Sequence, residues 1–123
     1  MSKTKELRKI VKAILDTSTG ETYYENATDD GVYPFKVFSF DNVNLGDTAR
    51  DDVMLVVDVW GDSVSEVEYV ADEIEASLNC KNNPQDNSYP TFYKDMRYTV
   101  FDENKAIKHK QLKFIIQNYY TGE

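Results

Sequence analysis

His109 is the only histidine of the chain, so any mechanism that uses an imidazole as a general base depends on it. It lies between Lys108 and Lys110, in an alternating stretch near the C-terminus. The neighbouring lysines disfavour an imidazolium ion, and they supply no carboxylate that could orient the ring. We therefore expect His109 to be a solvent-facing residue of a strand rather than a catalytic base.

Asp58 is a second candidate for chemistry, because it interrupts the apolar run Val53–Trp60. A carboxyl group buried in such a strand is a candidate for proton transfer at a catalytic site. More often an acid in this position lies on the polar face of a sheet, or pairs with a lysine of a neighbouring strand or with Arg97. We favour the structural interpretation.

The carboxylates of segment 41–52 do not match a metal site. Asp41, Gly46 and Asp52 fit the first, sixth and twelfth positions of a calcium-binding loop, but the third and fifth positions, which should provide oxygen ligands, are valine and leucine. The glycines of the chain are scattered, so the sequence contains no glycine-rich phosphate loop. We therefore predict no enzymatic activity, no metal site and no cofactor.

The composition is typical of an ordinary globular domain. The chain has 123 residues, of which 41% are hydrophobic and 13% are aromatic, and a domain of this length buries roughly two-thirds of the surface of its unfolded chain. No stretch approaches the ~18–20 apolar residues of a membrane span, and the charged N-terminus lacks the apolar region of a signal peptide. Cys80 is the single cysteine, which excludes an internal disulfide and fits a reducing compartment. We predict one domain over residues 1–123, without a membrane partner.

The net charge of −8 is unevenly distributed along the sequence. Residues 1–20 contain five basic and two acidic residues, residues 21–78 contain two and 15, and residues 79–123 contain seven and five. The strongly acidic central segment either keeps the surface soluble, or meets a basic partner or repels nucleic-acid phosphates. Direct binding of nucleic acid by this segment is not expected, because phosphate contacts need clustered Lys and Arg.

Hydrophobic periodicity predicts two helices and four strands. Apolar residues at helical spacing from Leu7 to Leu15 indicate the first helix, and the capping box formed by Ser63 and Glu66 begins a second, acidic helix. Val53–Trp60 has apolar residues on both faces, so we expect it near the middle of a sheet, covered on both sides. The predicted elements are helix 3–17, strand 35–40, strand 53–60, helix 64–79, strand 92–101 and strand 107–120.

The order α-β-β-α-β-β predicts an α+β fold. We expect a mostly antiparallel four-stranded sheet with both helices packed on one face. Two segments allow alternatives: Tyr23-Tyr24 form a short strand or a loop anchor, and 41–52 is a long connection or the extended tips of two strands. Segment 81–90 is predicted to be a loop, and its role is open. Alternation in the third predicted strand places one set of side chains on a single face: Phe92, Met96, Tyr98 and Val100.

The element order and the sequence Val59–Ser63 resemble the tail-completion (tail-terminator) proteins of long-tailed bacteriophages. In that family a strand that ends in tryptophan followed by Asp or Ser is the most recognisable part, and the helix after it is similar to Glu66–Ile74 here. The resemblance covers nearly the whole chain in element order. Because it is a packing motif, it implies that Trp60 is a fold anchor, placed in the core at the corner between strand and helix.

The resemblance implies a structural role in the virion, at the head–tail junction, after assembly in the cytoplasm of the bacterial host. Proteins of this family stop the growth of the tail tube and form the surface that joins the head. They act as a ring, usually hexameric, so the expected partners are further copies of this chain, the tail tube protein and a head-completion or neck protein. DNA passes through without specific binding, and the acidic segment 21–78 is expected to line the channel.

The polar segment 41–52 is the predicted subunit or tube interface, because a long loop can reach a neighbouring subunit and strand edges can pair across subunits. Two other functions are weighed against the tail-completion hypothesis: another neck or head-completion connector, and a monomeric acidic inhibitor that mimics DNA. The basic first helix and basic last strand weaken the inhibitor hypothesis. The predicted interface residues are Asp41, Asn44, Asp47, Arg50, Asp51 and Asp52.

Overall fold

The fold was analysed in a computed structural model, which describes residues 3–26, 32–44, 50–79, 88–101 and 107–120. These residues form two helices and five strands, which confirms the predicted α+β class. In chain order the elements are α1 Lys3–Leu15, β1 Glu21–Tyr24, β2 Phe35–Asn44, β3 Arg50–Gly61, α2 Val64–Leu78, β4 Ser88–Val100 and β5 Lys108–Tyr120.

The sheet differs from the predicted one by an additional strand. Its order is β1-β2-β3-β5-β4, with β1 parallel to β2 and the other neighbours antiparallel. The prediction of four strands in the order α-β-β-α-β-β is therefore wrong, and the sheet is mixed. The four residues of β1 are too few to give a periodic signal, and pairing with β2 decides between the two alternatives for Tyr23-Tyr24 in favour of a strand.

Both helices pack on one face of the sheet, as predicted. β3 lies in the middle of the sheet, and its alternate side chains from Val53 to Val59 enter the core beneath α1 and α2. The opposite face, which we call the open face, carries Val56, Asp58 and Trp60 of the same strand. The expectation that a second layer covers this face is wrong for the described residues, although Val56 itself is only 5% exposed.

A capping box fixes the start of α2. The Glu66 N–H donates to Ser63 Oγ at 3.2 Å, and Glu66 Oε1 in return accepts from the N–H of Asp62 at 3.1 Å. The predicted pairing of Ser63 with Glu66 is confirmed, with the returning bond made one residue earlier than in the usual motif. The helix that follows buries five apolar side chains: Val67, Val70, Ala71, Ile74 and Leu78.

A β-bulge changes the side-chain pattern of β4. Lys94 pairs with Phe114 and Met96 with Lys113, so Asp95 is an extra residue on β4. Before the bulge Phe92 points into the core, but beyond it Arg97 points towards α2 and Met96 points to the open face. The prediction that Phe92, Met96, Tyr98 and Val100 share a face is wrong for this reason, since simple alternation cannot register an inserted residue.

Lys36 of β2 is fully buried, and its side chain points towards the segment that follows α1. Its Nζ donates to the carbonyl oxygens of Thr19 at 3.1 Å and Gly20 at 2.8 Å, with a longer contact to that of Ser18 at 3.4 Å. Desolvation by burial lowers the pKa of Lys36 from its ordinary 10.5 to about 8, although the nearby carboxylate of Asp16 acts in the opposite direction. The ammonium group thus ties the end of α1 to the sheet, at an electrostatic cost.

Gly20 is required by the close approach of β2 to this segment. Its φ is 91°, and a Cβ at this position would lie 2.4 Å from the carbonyl oxygen of Pro34. We expect Gly20→Ala to lower the free energy of unfolding by about 2–4 kcal/mol, because both the backbone conformation and the clash are unfavourable. Urea unfolding measures the change, and the exposed neighbour variant Thr19→Ala, expected within ~0.5 kcal/mol of wild type, is the control. Equal stability of the two variants would contradict the assignment.

Lys36 makes the stability depend on pH. Between pH about 8 and 10.5 the unfolded chain binds this proton more tightly than the folded one, so the free energy of unfolding rises with pH through this window. We expect the rise to be larger in wild type than in Lys36→Met by on the order of 2 kcal/mol. Urea unfolding of both proteins at several pH values measures the difference. Tyrosine ionisation contributes equally to both proteins and therefore cancels in it. A variant at an exposed lysine, Lys9→Met, should show the same rise of the free energy of unfolding with pH as the wild type. An equal rise in Lys36→Met would refute the prediction.

Candidate functional site

The predicted interface segment 41–52 is mostly strand. β2 continues to Asn44 and β3 begins at Arg50, so the alternative of two extended strand tips is confirmed, and the long loop is wrong. Asp41 is exposed and Asp52 is half-buried. Asp47 lies outside the described residues, and Asn44, Arg50 and Asp51 are placed by backbone register alone: Asn44 opposite Asp52, Arg50 opposite Tyr119 and Asp51 opposite Asn118.

Three strands run side by side at this end of the sheet. β3 and β5 remain paired as far as Arg50 and Tyr119. Beside them β4 begins at Ser88, within the segment predicted to be a loop. The role of this sheet end as an interface stays a prediction.

Trp60 lies at the other end of β3, on the open face. Its ring is half-buried and stacks between Phe35, with a centroid distance of 5.3 Å, and His109, at 4.3 Å. Tyr33 stacks in turn on Phe35 at 5.5 Å. The expectation that Trp60 lies in the core at the strand–helix corner is wrong, since period-two alternation directs it away from the helices. Its role as a fold anchor stays a prediction, now through this cross-strand row of rings.

Asp58 and His109 form a pair on the open face. His109 Nε2 lies 2.7 Å from Asp58 Oδ1, and Gln111 Nε2 donates to the same oxygen at 2.8 Å. The side chains of Asp58 and His109 are only 18% and 12% exposed. The expectation that His109 faces solvent without an orienting carboxylate is therefore wrong. The carboxylate comes from a strand 51 residues away in sequence, which local sequence context does not reveal.

The surroundings of this pair suit packing better than catalysis. A histidine–carboxylate pair activates a nucleophile when the imidazole also contacts a hydroxyl or thiol. Within the described ranges, no hydrogen bond joins His109 to such a group, and one face of its ring is covered by Trp60. Among the same residues no group of three His, Cys, Asp or Glu side chains is placed to hold a metal ion, and none of the helices there is long and apolar enough to cross a membrane. Cys80 lies outside the described residues.

Two of the five acidic residues of α2 pair with basic side chains of β4. Arg97 binds Asp72 at 2.7 Å and Glu75 at 3.4 Å, and Lys94 lies 3.3 Å from Glu75. Desolvation by burial lowers the pKa of Arg97, but the hydrogen bonds that Arg97 donates to the carboxylates of Asp72 and Glu75, together with their negative charges, outweigh it, so that the pKa is raised. Because these pairs neutralise two of its acids, the net charge of the segment overstates the negative charge that it presents to a partner.

The exposed acids do not gather on one surface of the described fold. Asp41 lies on the open face, Glu68 on the outer side of α2, and Glu21 on the edge strand β1. A channel lined by the whole segment 21–78 would need these separate surfaces to face one axis. The acidic channel stays a prediction, with only a part of the segment able to contribute.

A groove that sequence reasoning missed lies between the start of α2 and the ends of β4 and β5. It has a volume of about 490 Å³ and mostly apolar walls. Its apolar walls include Val64, Val67, Phe101 and Ile107, and Lys110 is among its charged lining residues. These positions come from three separate elements, so no local pattern unites them. No signal in the sequence marked the groove, because Val64 lies at helical spacing from Val67 and Ala71 and so resembles a core position.

The open-face row gives a test of the anchor role of Trp60. Trp60→Ala removes stacking on two neighbours and leaves a half-buried gap, so we expect the free energy of unfolding to fall by about 1.5–3 kcal/mol, less than for a core tryptophan. Tyr69→Ala, on the 61% exposed tyrosine of α2, is the control and should change stability by at most ~0.5 kcal/mol. Chemical denaturation measures both, and a Trp60→Ala variant as stable as the control would remove the anchor role.

The fold resembles a chain from the virion of a native gene transfer agent (GTA) particle. The TM-score is 0.62, the match covers 94% of this chain and 90% of that chain, and the sequence identity is 12%. At this identity the likeness shows the fold, including its order of helices and strands across almost the full length. No family model and no curated protein matches the sequence.

Proposed function

We propose that this protein is a structural component of a phage or prophage virion. The observation that carries the proposal is the likeness to the gene transfer agent virion chain, which spans nearly all of both chains. A match over only a common sheet would support little, because small α+β folds recur in many functions. Here the match covers 94% of this chain and 90% of that chain, which is more than a sheet alone.

Within the virion we propose the tail-completion role. A protein that ends a tail tube and meets the head needs surfaces in three directions: to its ring neighbours, to the tube and to the head. The chain provides two unlike sheet edges, β1 and β4, and a sheet end at which β3, β4 and β5 run side by side. Unlike edges favour head-to-tail contacts, which close into a ring when the rotation between copies permits. The ring is proposed to be hexameric, with segment 41–52 turned towards the tube or a neighbour.

We propose that the role is structural rather than enzymatic. The one histidine is held by Asp58 and covered by Trp60, an arrangement that stabilises a sheet face. The ion pairs of α2 likewise join a helix to a strand. A neck or head-completion connector would use the same features, so the experiment must separate the two. The DNA-mimic alternative is less supported, because the exposed acids are dispersed and α1 is basic.

Deletion of the gene from the phage or prophage tests the role directly. A tail-completion protein stops tube growth, so we expect the deletion to give free tails of irregular and excessive length, unattached to heads. Negative-stain electron microscopy of induced lysates measures tail lengths and head attachment. Complementation with wild type should restore both, and the matched variant Tyr69→Ala, altered only at an exposed side chain, should complement as well.

The other outcomes have definite meanings. Tails of normal length that fail to join heads would reject the terminator role and indicate a neck connector. Normal particles from the deletion strain, together with no label at the head–tail junction by immunogold microscopy, would reject a virion role altogether. In that case binding of the acidic segment to a nucleic-acid enzyme, weakened by salt, becomes the measurement to make.

A further inference from the structure

β4 is the last strand on one side of the sheet, so its outer edge pairs with no other described strand. Along an antiparallel edge strand, the N–H and C=O of one residue point to the neighbouring strand and those of the next residue point outwards. Lys94 identifies the outward set before the bulge, because its N–H donates to Asn79 Oδ1 at 3.1 Å. Outward groups of this kind can pair with a further strand.

The first half of this edge is blocked. Pro90 belongs to the same outward set as Lys94, and a proline has no N–H to donate. The N–H of Lys94 is itself occupied by the side chain of Asn79. A further strand is therefore disfavoured between Pro90 and Lys94, since two successive positions of its ladder would lack a donor.

The second half of the edge has neither kind of block among its described contacts. The extra residue Asp95 shifts the alternation by one position, so the outward set beyond the bulge is Arg97 and Thr99. Neither is a proline, and each brings an N–H and a C=O to the edge. Phe101 lies at the next alternate position. The stretch from Arg97 to Phe101, which we call the open stretch, can therefore template a short ladder.

The groove lies directly beside the open stretch, with Thr99, Phe101 and Val64 among its lining residues. Thr99 is on the helical face of the sheet, in one row with Val59 of the core. Paired residues of adjacent strands direct their side chains to the same face. A residue of an added strand opposite Thr99 therefore points into the groove, whose volume of about 490 Å³ suits one or two aliphatic side chains. Phe101 is 93% exposed and Val64 is 52% exposed, so both can cover such a side chain.

The charge of the groove favours an acidic partner. Lys108 and Lys110 line it, against Glu68 as the one acid among its described lining residues. Lys110 Nζ donates to Thr99 Oγ1 at 2.9 Å, which holds the ammonium group beside the open stretch and leaves it two further donors. A carboxylate on the same face of an added strand meets this ammonium group, which sets the register of the strand.

The other sheet edge of this chain does not provide such a strand. β1 has only four residues, and α1 packs against it. Its side chains on the helical face are Thr22, which is buried, and Tyr24, which packs against the core of its own subunit. They are not free to enter a groove on a second copy. The occupant that fits is an extended segment whose side chains are free on both faces.

We propose that an extended segment of a different protein adds to the open stretch of β4 as a further strand. It inserts an apolar side chain into the groove and places an acidic side chain near Lys110. Main-chain hydrogen bonds supply the affinity, and the groove supplies the selectivity. The inference goes beyond the proposed function and does not rest on it, since it uses only the described edge and groove.

Titration with a strand-forming peptide tests the site. The probe is a capped seven-residue peptide with threonine at the odd positions, leucine at positions 2 and 4, and glutamate at position 6. We expect saturable binding with a dissociation constant below about 1 mM. Nuclear magnetic resonance of the labelled protein measures it, and the largest changes of amide shift and hydrogen exchange should occur at Arg97, Thr99 and Phe101.

The variants Thr99→Pro and Thr99→Ala separate backbone pairing from side-chain contact. Thr99→Pro removes an N–H that the sheet itself does not use, as Pro90 does in the same strand, so the fold is retained. It should weaken binding at least about ten-fold, because a hydrogen bond is lost and the ring obstructs the edge. Thr99→Ala keeps the N–H and should bind within about two-fold of wild type. Circular dichroism checks that both variants are folded.

A matched pair of peptides makes the same test on the wild-type protein. N-methylation at positions 2, 4 and 6 blocks the amides that face β4 and should abolish binding, whereas N-methylation at positions 3 and 5 should leave it intact. Val64→Glu should also weaken binding. Its carboxylate lies at the groove but in the first turn of α2, where an acid suits the helix dipole and the fold is kept.

Absence of binding up to about 1 mM overturns the proposal, and so does equal binding of the two N-methylated peptides, which would show apolar contact without strand pairing. Dimerisation of the protein alone that is lost in Thr99→Pro would also overturn it, because a second copy would then hold the edge. The result is separable from the test of function. Overlong tails in the deletion strain without peptide binding would leave the tail-completion role standing, and peptide binding with normal particles would do the reverse.

Discussion

The fold depends on the burial of β3 against the two helices on a single face. Val53, Leu55, Val57 and Val59 enter the core beneath α1 and α2, next to the alternate side chains of β2 and β5. Removal of this apolar surface from water is the main favourable contribution to folding such a domain. Because successive side chains of a strand point in opposite directions, the same strand must send Val56, Asp58 and Trp60 to a face that neither helix covers.

The open face is stabilised by contacts within the sheet. The row of rings Tyr33, Phe35, Trp60 and His109 covers the end near the groove, and His109 connects it to Asp58. Cross-strand pairs of this kind each contribute modestly and depend on the register of several strands together. The contacts of the histidine and the aspartate with their neighbours thus explain a pair that resembles a catalytic one. The chemistry of the residues alone did not decide their role.

The proposed assembly uses the parts of the sheet that lie outside the core. The helices cover one face of the sheet, and the cross-strand row of aromatic side chains stabilises the other face. The two edges and the two ends of the sheet are therefore available to partners. The edges differ in strand direction, length and charge, since β1 is short and parallel whereas β4 has 13 residues and a bulge. Asn79 accepts a hydrogen bond from the backbone N–H of Lys94, which blocks that part of the β4 edge.

The sequence by itself determined the fold class, both helices, the central position of β3, and the capping box at Ser63. These features depend on local periodicity and local hydrogen bonds, which act between residues near one another in the chain. Only the tertiary structure decided the fifth strand, the side-chain directions beyond the bulge, the partner of His109, and the groove. Each of these depends on residues brought together from distant strands, as with Asp58 and His109, or on one inserted residue such as Asp95. Hydrophobic pattern specifies which residues avoid water, but register and packing decide which of them meet.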